Sequence, residues 1–349
     1  MPALWDLPDF DDHEGVHLFR DPNAGLTAII AVHSTYLGPA AGGVRFWHYS
    51  DKNAAITDAL RLSRGMSYKN AMAGLPMGGG KGVILASEDR KKTQDLLAAF
   101  AEAVESLGGR YITAQDVGIS EADMIAISQS TSYVSGLPPK DGGAGGDPGP
   151  STAYGVFLGV KAAIKYRLGT DSAKDVRIAI QGVGSVGGGL ARYLAAEGAR
   201  LTITDVNADR AKAMAKEIGA TAVAPEQIME TDADVFSPNA LGAVINKDSI
   251  DQIKARIIAG GANNQLATRA DGERVLDRGI LYAPDYVINA GGIINVALEY
   301  LGQGDRAEVN SRIEQIPGRL TGIWQESENS GVPASDVADA MAKKLIGRG

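Results

Sequence analysis

The segment from Arg177 to Asp205 constrains this chain more than any other stretch of its sequence. It opens with a short apolar run, Arg177 to Gln181, that reads as a buried strand. A glycine turn follows, Gly182-Val183-Gly184-Ser185-Val186-Gly187, and Val186 to Glu197 then reads as a helix. A second strand, Arg200 to Thr204, ends in Asp205, 23 positions after Gly182. Two strands with a helix between them form a parallel pair. A further helix at Asp209 to Ile218 and short strands at Val235 to Phe236, Ile257 to Ala259 and Tyr286 to Asn289 extend the pattern to a doubly wound sheet.

In that setting the turn is a dinucleotide fingerprint of the Rossmann type. Gly182 permits the tight turn, Gly184 lets a pyrophosphate approach the backbone, and Gly187 lets helix and strand pack closely. With Val183, Ser185 and Val186 they form a cradle at a helix N-terminus, where negative phosphates are stabilised. A carboxylate at Asp205 suits the ribose hydroxyls and repels the extra phosphate of NADP, so NAD is expected. The plainer reading makes Asp205 a surface residue capping the next helix. Arg200 and Arg210 are cations nearby in sequence.

A second feature is Gly74-Leu75-Pro76-Met77-Gly78-Gly79-Gly80-Lys81-Gly82, whose lysine follows Lys69 by twelve positions. The glycines are read as opening the backbone around Lys81 to a small ligand and leaving its ammonium nearly alone in a pocket. Lys69, Lys81 and Asp116 are the expected reactive set. Taken singly, helix-end lysines are usually solvated and a strand-end aspartate usually caps a turn.

A chain of 349 residues exceeds the usual single core, so two domains are expected. Its net charge of −8 and lack of a basic block disfavour nucleic acid and anionic membranes as partners. Without cysteine there is no disulfide, thiolate nucleophile or cysteine metal site. His13, His17, His33 and His48 show no ligand spacing, so no metal is expected and they are assigned no chemistry. Met1 to Glu14 holds five acidic residues and no basic start, and Leu26 to Val32 is too short to span a bilayer, so a cytoplasmic location is expected.

The first half also alternates strand and helix. Gly25 to Val32 is an expected strand, Gly38 to Arg45 a flexible turn into another, Asn53 to Ala73 a helix, Val83 to Leu85 a strand, Thr93 to Leu107 a helix and Tyr111 to Ala114 a strand. Glycines 78–82, 142–149 and 182–189 read as loops and phosphate turns. Pro138 to Pro150, with four prolines and five glycines, is either a solvent-exposed linker or a hinge over a cleft. Ser151-Thr152 is expected to cap a helix from about Ala153 to Tyr166, and Arg306 to Gly349 to be helical and amphipathic. The substrate domain is placed at 1–139 and the dinucleotide domain at 140–317, with 318–349 able to fold back on the first.

Several runs carry a family resemblance: Gly38 to Arg45, Arg64-Gly65-Met66-Ser67-Tyr68-Lys69-Asn70, Leu75 to Lys81 and Asp116-Val117-Gly118, with Gly260-Gly261-Ala262-Asn263-Asn264-Gln265 and Ala283 to Gly292 further on. In order and over most of the chain, these resemble the glutamate/leucine/phenylalanine/valine dehydrogenase family, most of all its leucine dehydrogenase branch. The resemblance implies reversible oxidative deamination: an L-amino acid, NAD and water give the 2-oxo acid, ammonium and NADH. It implies that Lys69 binds the substrate carboxylate, Lys81 activates water and polarises the carbonyl, and Asp116 shuttles protons. It places Gly42 and Asn263 at the substrate, and Thr152 and Asn263 at the cofactor. It lines the side-chain pocket with Ala41, Met66, Ala114, Ile293 and Val296. All five are apolar, so glutamate is disfavoured; Ile293 and Val296 suit branched chains, whereas the small Ala41 leaves room for an aromatic ring. Some homo-oligomer is implied, although the chain stops soon after Leu345, short of many relatives. The alternative from another class is a non-catalytic NAD-binding sensor on the same fold.

Overall fold

The computed structural model describes residues 3–138 and 143–349. The chain forms two compact units, Met1–Asp147 with Asn295–Glu308 and Ala342–Gly349, and Pro148–Ile294 with Val309–Met341. The chain thus returns to the first unit twice, through 295–308 and through 342–349, while 309–341 belongs to the second.

The first unit is built on β1 (Gly15–Asp21), β2 (Leu26–Ser34), β3 (Ala40–Trp47), α1 (Lys52–Met72), β4 (Gly78–Leu85), α2 (Gln94–Glu105), β5 (Tyr111–Gln115) and α3 (Glu121–Ile127). Its five-stranded sheet runs β1-β2-β4-β3-β5. β1 and β2 are antiparallel, as are β2 and β4, whereas β3 lies parallel to both β4 and β5. One face packs on α2 and α3 through Phe100, Val104, Met124 and Ile127, with Ile30, Val32, Ile84 and Tyr111 from the sheet. The other is covered by α1, whose Ala55 and Ala59 meet Ile29, Ala31 and Val83.

The glycine run is not a loop. Gly78 to Gly82 lies inside β4 and is buried, its backbone in register with β2 and β3. Protein, not open space, fills the room left by the missing side chains. A Cβ on Gly79 would meet the Ser67 nitrogen of α1 at 2.0 Å, and one on Gly80 would meet the Tyr111 ring at 2.7 Å. Likewise Gly42 and Gly43 belong to β3 rather than to a turn before it. Strands without side chains let α1 and Tyr111 approach the backbone directly. Two of the histidines are tied into the fold: His13 Nε2 lies 3.0 Å from the Leu60 carbonyl and from Ser63 Oγ, and His33 Nδ1 lies 2.7 Å from Ser67 Oγ. Burial, reinforced by the charge of Arg348, pushes His33 down to about 3.

The second unit holds α4 (Gly149–Leu168), β6 (Arg177–Gln181), α5 (Ser185–Ala196), β7 (Arg200–Thr204), α6 (Ala208–Ile218), β8 (Thr221–Ala222), β9 (Val235–Pro238), β10 (Ile257–Ile258), α7 (Arg269–Asp277), β11 (Leu281–Tyr282) and α8 (Asp285–Ile288). The remaining helices are α9 (Gly291–Tyr300), α10 (Arg306–Ile313), α11 (Ile316–Ser330) and α12 (Ala334–Leu345). Its six strands are all parallel, in the order β11-β10-β9-β6-β7-β8. The order reverses at β6, which opens a crevice at the carboxyl ends of β6 and β9 where such sheets take ligands.

Three readings are corrected here. Tyr286 to Asn289 is not a strand: its first residues belong to α8, and the sheet ends instead on β11. Thr152 does not cap a helix, because α4 begins three residues earlier at Gly149, and the Thr152 hydroxyl donates to the Pro148 carbonyl at 2.9 Å. The stretch Pro138 to Pro150 is not a solvent-exposed linker throughout. Residues 139–142 lie outside the described residues, but Ala144, Gly145 and Gly146 are buried. The buried Asn295 side chain of α9 clamps Gly145, donating to its carbonyl at 3.0 Å and accepting from its N–H at 3.3 Å.

Candidate active site

The chemistry-bearing groups of the first unit share one face of its sheet. Ala41 pairs with Gly79 and Gly43 with Ala114, so the two-residue period of a strand puts Ala41, Lys81, Ala114 and Asp116 on the side facing α1. The Lys81 ammonium, on a buried side chain, donates to Asp116 Oδ2 at 2.7 Å. The same oxygen accepts from Arg45 Nε at 3.1 Å. Arg45 Nη1 then reaches Asp58 Oδ2 at 2.9 Å, an atom that also accepts the Tyr49 hydroxyl at 2.8 Å. Sequence reasoning missed Arg45, Asp58 and Tyr49. The signal for Arg45 was available: a lone cation closing a glycine-rich strand that has no other polar side chain.

Burial pushes the Lys81 ammonium below the usual lysine range, against the pull of Asp116 and with the help of the Arg45 charge. Arg45, which sequence reasoning did not name, is a neighbouring cation that acts on Lys81. For Asp116, burial works upward, but the Lys81 charge and hydrogen bond, with Arg45 and the Val117 N–H, hold the carboxyl below its usual range. The result is an ion pair whose lysine gives up its proton more readily than a free one.

The other expected residues of this unit sit on β3, α1 and α9. Gly42 is buried in β3 and its carbonyl accepts the Tyr111 hydroxyl at 2.7 Å, while Met66 of α1 comes near Gly42. Lys69 stands half-buried in the last turn of α1, beside Asn70, whose amide donates to the Gly78 carbonyl at 2.6 Å. Val296, on the part of α9 that belongs to this unit, approaches Gly136, whereas Ile293, three residues earlier on the helix, belongs to the second unit.

In the second unit the glycine turn has the form a pyrophosphate needs. Gly182 has φ +87°, and Gly187 sits so near the Gly182 carbonyl that a Cβ would approach its oxygen to 2.0 Å. Gly184 faces open space and caps α5 without a side chain, leaving the helix N–H groups of Ser185 and Val186 for an anion. The Val183 N–H donates to Asp205 Oδ2 at 3.0 Å and the Asn207 N–H to Oδ1 at 2.9 Å. Asp205 is thus a buried clamp on the turn, and Asn207 caps α6. Arg210 lies 3.5 Å from Asp205, but Arg200 is at the other end of β7 and pairs with Asp175.

Thr152 lies in the first turn of α4, against Gly292. Asn263 is exposed after β10, and its Oδ1 accepts from Asn289 Nδ2 at 2.7 Å. With its oxygen engaged, the Asn263 side chain keeps its Nδ2 as the donor. Asn289 and Asn239, which accepts the Gly261 N–H at 2.8 Å, support this loop and were not foreseen. The dinucleotide residues therefore fit a nicotinamide cofactor on backbone geometry alone. Among the described residues, no His/Asp/Glu group that could hold a metal ion is gathered, and no helix is long and apolar enough to cross a membrane.

The comparisons with known proteins agree with this fold. Residues 13–133 match the family model described as Glu/Leu/Phe/Val dehydrogenase, dimerisation domain, and residues 201–345 match Glutamate/Leucine/Phenylalanine/Valine dehydrogenase. The chain is 48% identical over 337 residues to leucine dehydrogenase of Bacillus subtilis (strain 168), covering 97% of this chain and 92% of that protein. It is 42% identical over 341 residues to valine dehydrogenase of Streptomyces coelicolor, covering 97% and 93%. The crystal structure of L-tryptophan dehydrogenase from Nostoc punctiforme superposes with a TM-score of 0.85 at 42% identity, covering 96% of each chain. The chain is an amino acid dehydrogenase of the glutamate/leucine/phenylalanine/valine dehydrogenase family, on its leucine dehydrogenase branch.

Proposed function

We propose that the protein catalyses the reversible, NAD-dependent oxidative deamination of an apolar L-amino acid to its 2-oxo acid and ammonium. The observation that carries this reading is the 2.7 Å pair between Lys81 and Asp116, a buried base beside a carboxylate held ionised. The balance is one amino acid, one water and one oxidised cofactor giving 2-oxo acid, ammonium, reduced cofactor and a proton. Bound in the glycine cradle, NAD would supply the acceptor for the hydride lost from the substrate Cα.

The chain's own groups do the rest. Asp116 accepts a proton of the substrate amine, so that the lone pair can assist loss of the hydride. Lys81 in its neutral form removes a proton from the water that adds to the imine carbon, and its ammonium returns one as the amine leaves. Lys69 holds the substrate carboxylate, with the Gly42 backbone beside it. The cradle Gly182, Val183, Gly184, Ser185, Val186 and Gly187, with Thr152 and Asn263, positions the cofactor, and alignment is the protein's main contribution to the hydride step.

Ala41, Met66, Ala114, Ile293 and Val296 support an apolar substrate, because none offers a cation for a second carboxylate. Asp205 supports NAD over NADP, its carboxylate lying where a 2′-phosphate would bring like charge. The dimerisation description of the family model over 13–133 supports a homo-oligomer, and the cysteine-free composition is consistent with a cytoplasmic location.

The test is NADH formation at alkaline pH with L-leucine, L-valine, L-phenylalanine, L-tryptophan and L-glutamate. Turnover on the apolar members and not on glutamate is the expected result. NADH binding without turnover on any of them would favour a sensor instead.

A further inference from the structure

Arg45 and Lys81 share a single oxygen of Asp116, at 3.1 and 2.7 Å. Extending the pairing of Val44 with Gln115 by one residue sets Arg45 directly opposite Asp116. From there its guanidinium bridges two carboxylates, with Nε on Asp116 and Nη1 on Asp58 of α1. Asp58 is held in turn by the Tyr49 hydroxyl and faces Arg61 at 3.4 Å. We infer that Arg45 is a positioning residue for the deamination proposed above: it holds the Asp116 carboxylate against Lys81 and sets a fixed positive charge beside that lysine, with Asp58 as the anchor that aims it. The inference rests on the reading of Lys81 and Asp116 as the acid–base pair.

Two physical reasons support it. An aspartate at a strand end, tied only to the next residue's N–H and a lysine on a four-carbon stem, keeps more rotational freedom than one also gripped by the planar fork of an arginine held at both sides. The charges also matter. Lys81, Asp116, Arg45 and Asp58 sum to zero while the lysine is protonated. When Lys81 loses its proton, Arg45 is the cation that still balances one of the two carboxylates. Without Arg45, both carboxylates would hold the proton on Lys81.

Around Lys81 stand Asp116 after β5, Arg45 from β3 and Asp58 from α1, with Arg61 and the Tyr49 phenol on Asp58; the Tyr111 phenol lies on the other face of the sheet, against the Gly42 carbonyl. Both phenols stay neutral, since burial raises their proton affinity. Lys69 lies further along α1, in its last turn. Burial is the largest influence on Lys81 and pulls it down, Asp116 pulls it up, and then Arg45 and Asp58 act in opposite directions.

That opposition provides the test: the pH profile of kcat/KM, with NAD and the amino acid turned over fastest, for the full-length wild type, Arg45→Gln, Asp58→Asn and Arg45→Lys. Arg45→Gln is expected to move the ascending limb to higher pH, with loss at neutral pH that returns as pH is raised. Asp58→Asn should move the limb the other way, because the Arg45 charge is no longer offset. Arg45→Lys keeps the charge but not the fork, so its limb should stay near wild type while kcat remains low. Limbs that stay in place in both charge variants, or move the same way, would overturn the inference. If Arg45→Gln does not fold, an Asp58→Asn limb that is unmoved or raised overturns it alone. A wild type that oxidises none of the amino acids defeats the acid–base reading itself, and this inference with it. Normal wild-type turnover that Lys81→Ala abolishes, with unmoved limbs in the Arg45 and Asp58 variants, defeats only the role of Arg45.

Discussion

Gly79 and Ser67 stand in backbone contact: a Cβ on Gly79 of β4 would lie 2.0 Å from the Ser67 nitrogen of α1. The same helix carries Asp58, which holds Arg45 of β3, and Arg45 shares Asp116 with Lys81. Gly79→Ala should therefore push α1 outward and cost about 1–3 kcal/mol, as overpacked cores do. Gly65, on the same helix, is exposed and has nothing within 4 Å of an added Cβ. Gly65→Ala should add roughly 0.5–1 kcal/mol through helix propensity. Urea unfolding checks both: the midpoint falls for the first variant and rises for the second, and a Gly79→Ala protein as stable as wild type would mean that the sheet–helix contact is soft.

The proposed acid–base roles of Lys81 and Asp116 predict the direction of the pH dependence. Lys81 is a base only when neutral, and burial sets its proton affinity below the ordinary lysine value of 10.5. Deamination should therefore rise with pH through an ionisation below that value and then level off. Lys81→Ala should lower kcat/KM by about 10²–10⁴-fold, the range of general acid–base catalysis. NADH affinity, followed by nicotinamide fluorescence, should be unchanged in that variant. A profile that falls with pH over the same range would exclude Lys81 as the base.

Asp205 has two jobs that one substitution separates. Its carboxylate accepts the Val183 and Asn207 N–H groups, and in the proposed NAD preference it also repels a 2′-phosphate. Asp205→Ala should lower the preference for NAD over NADP by about 10–100-fold, the worth of one charged contact of ~1.5–3 kcal/mol. Arg210, now without its partner, should help NADP. The ratio of kcat/KM values for the two cofactors decides: if it does not change while the thermal midpoint drops, Asp205 serves the turn alone.

Substrate size should depend on Ala41, which is buried on the face that carries Lys81. Ala41→Leu fills space that an aromatic side chain would use, so the ratio of L-leucine to L-phenylalanine efficiency should rise. The expected change is about 10–200-fold, what a few methylenes decide in an apolar pocket (~1–3 kcal/mol). Equal losses on both substrates would show that Ala41 does not border the side chain.

Much of the second unit was legible in the sequence because its signals are local. A strand, a glycine turn, a helix and a strand-end aspartate follow one another within thirty residues, and β6 and β7 fall at Arg177–Gln181 and Arg200–Thr204 as expected. The pair Lys81 and Asp116 was also visible, since each sits in a recognisable motif. The error at Tyr286 arose where a short apolar run fits strand and helix equally well, and length alone could not arbitrate.

What the sequence determined by itself was the class of sheet in the second unit, its phosphate turn, and the residue types able to move protons. Tertiary structure alone decided the meaning of the glycines in β4 and the partners of Asp116. A glycine run reads as a loop until the helix and ring that occupy its missing side chains are known. Arg45, Asp58 and Lys81 come from three separate elements, and their coupling depends on pairings between strands and on α1 lying against the sheet. Contacts of that kind join residues far apart in the chain, and no local pattern encodes them.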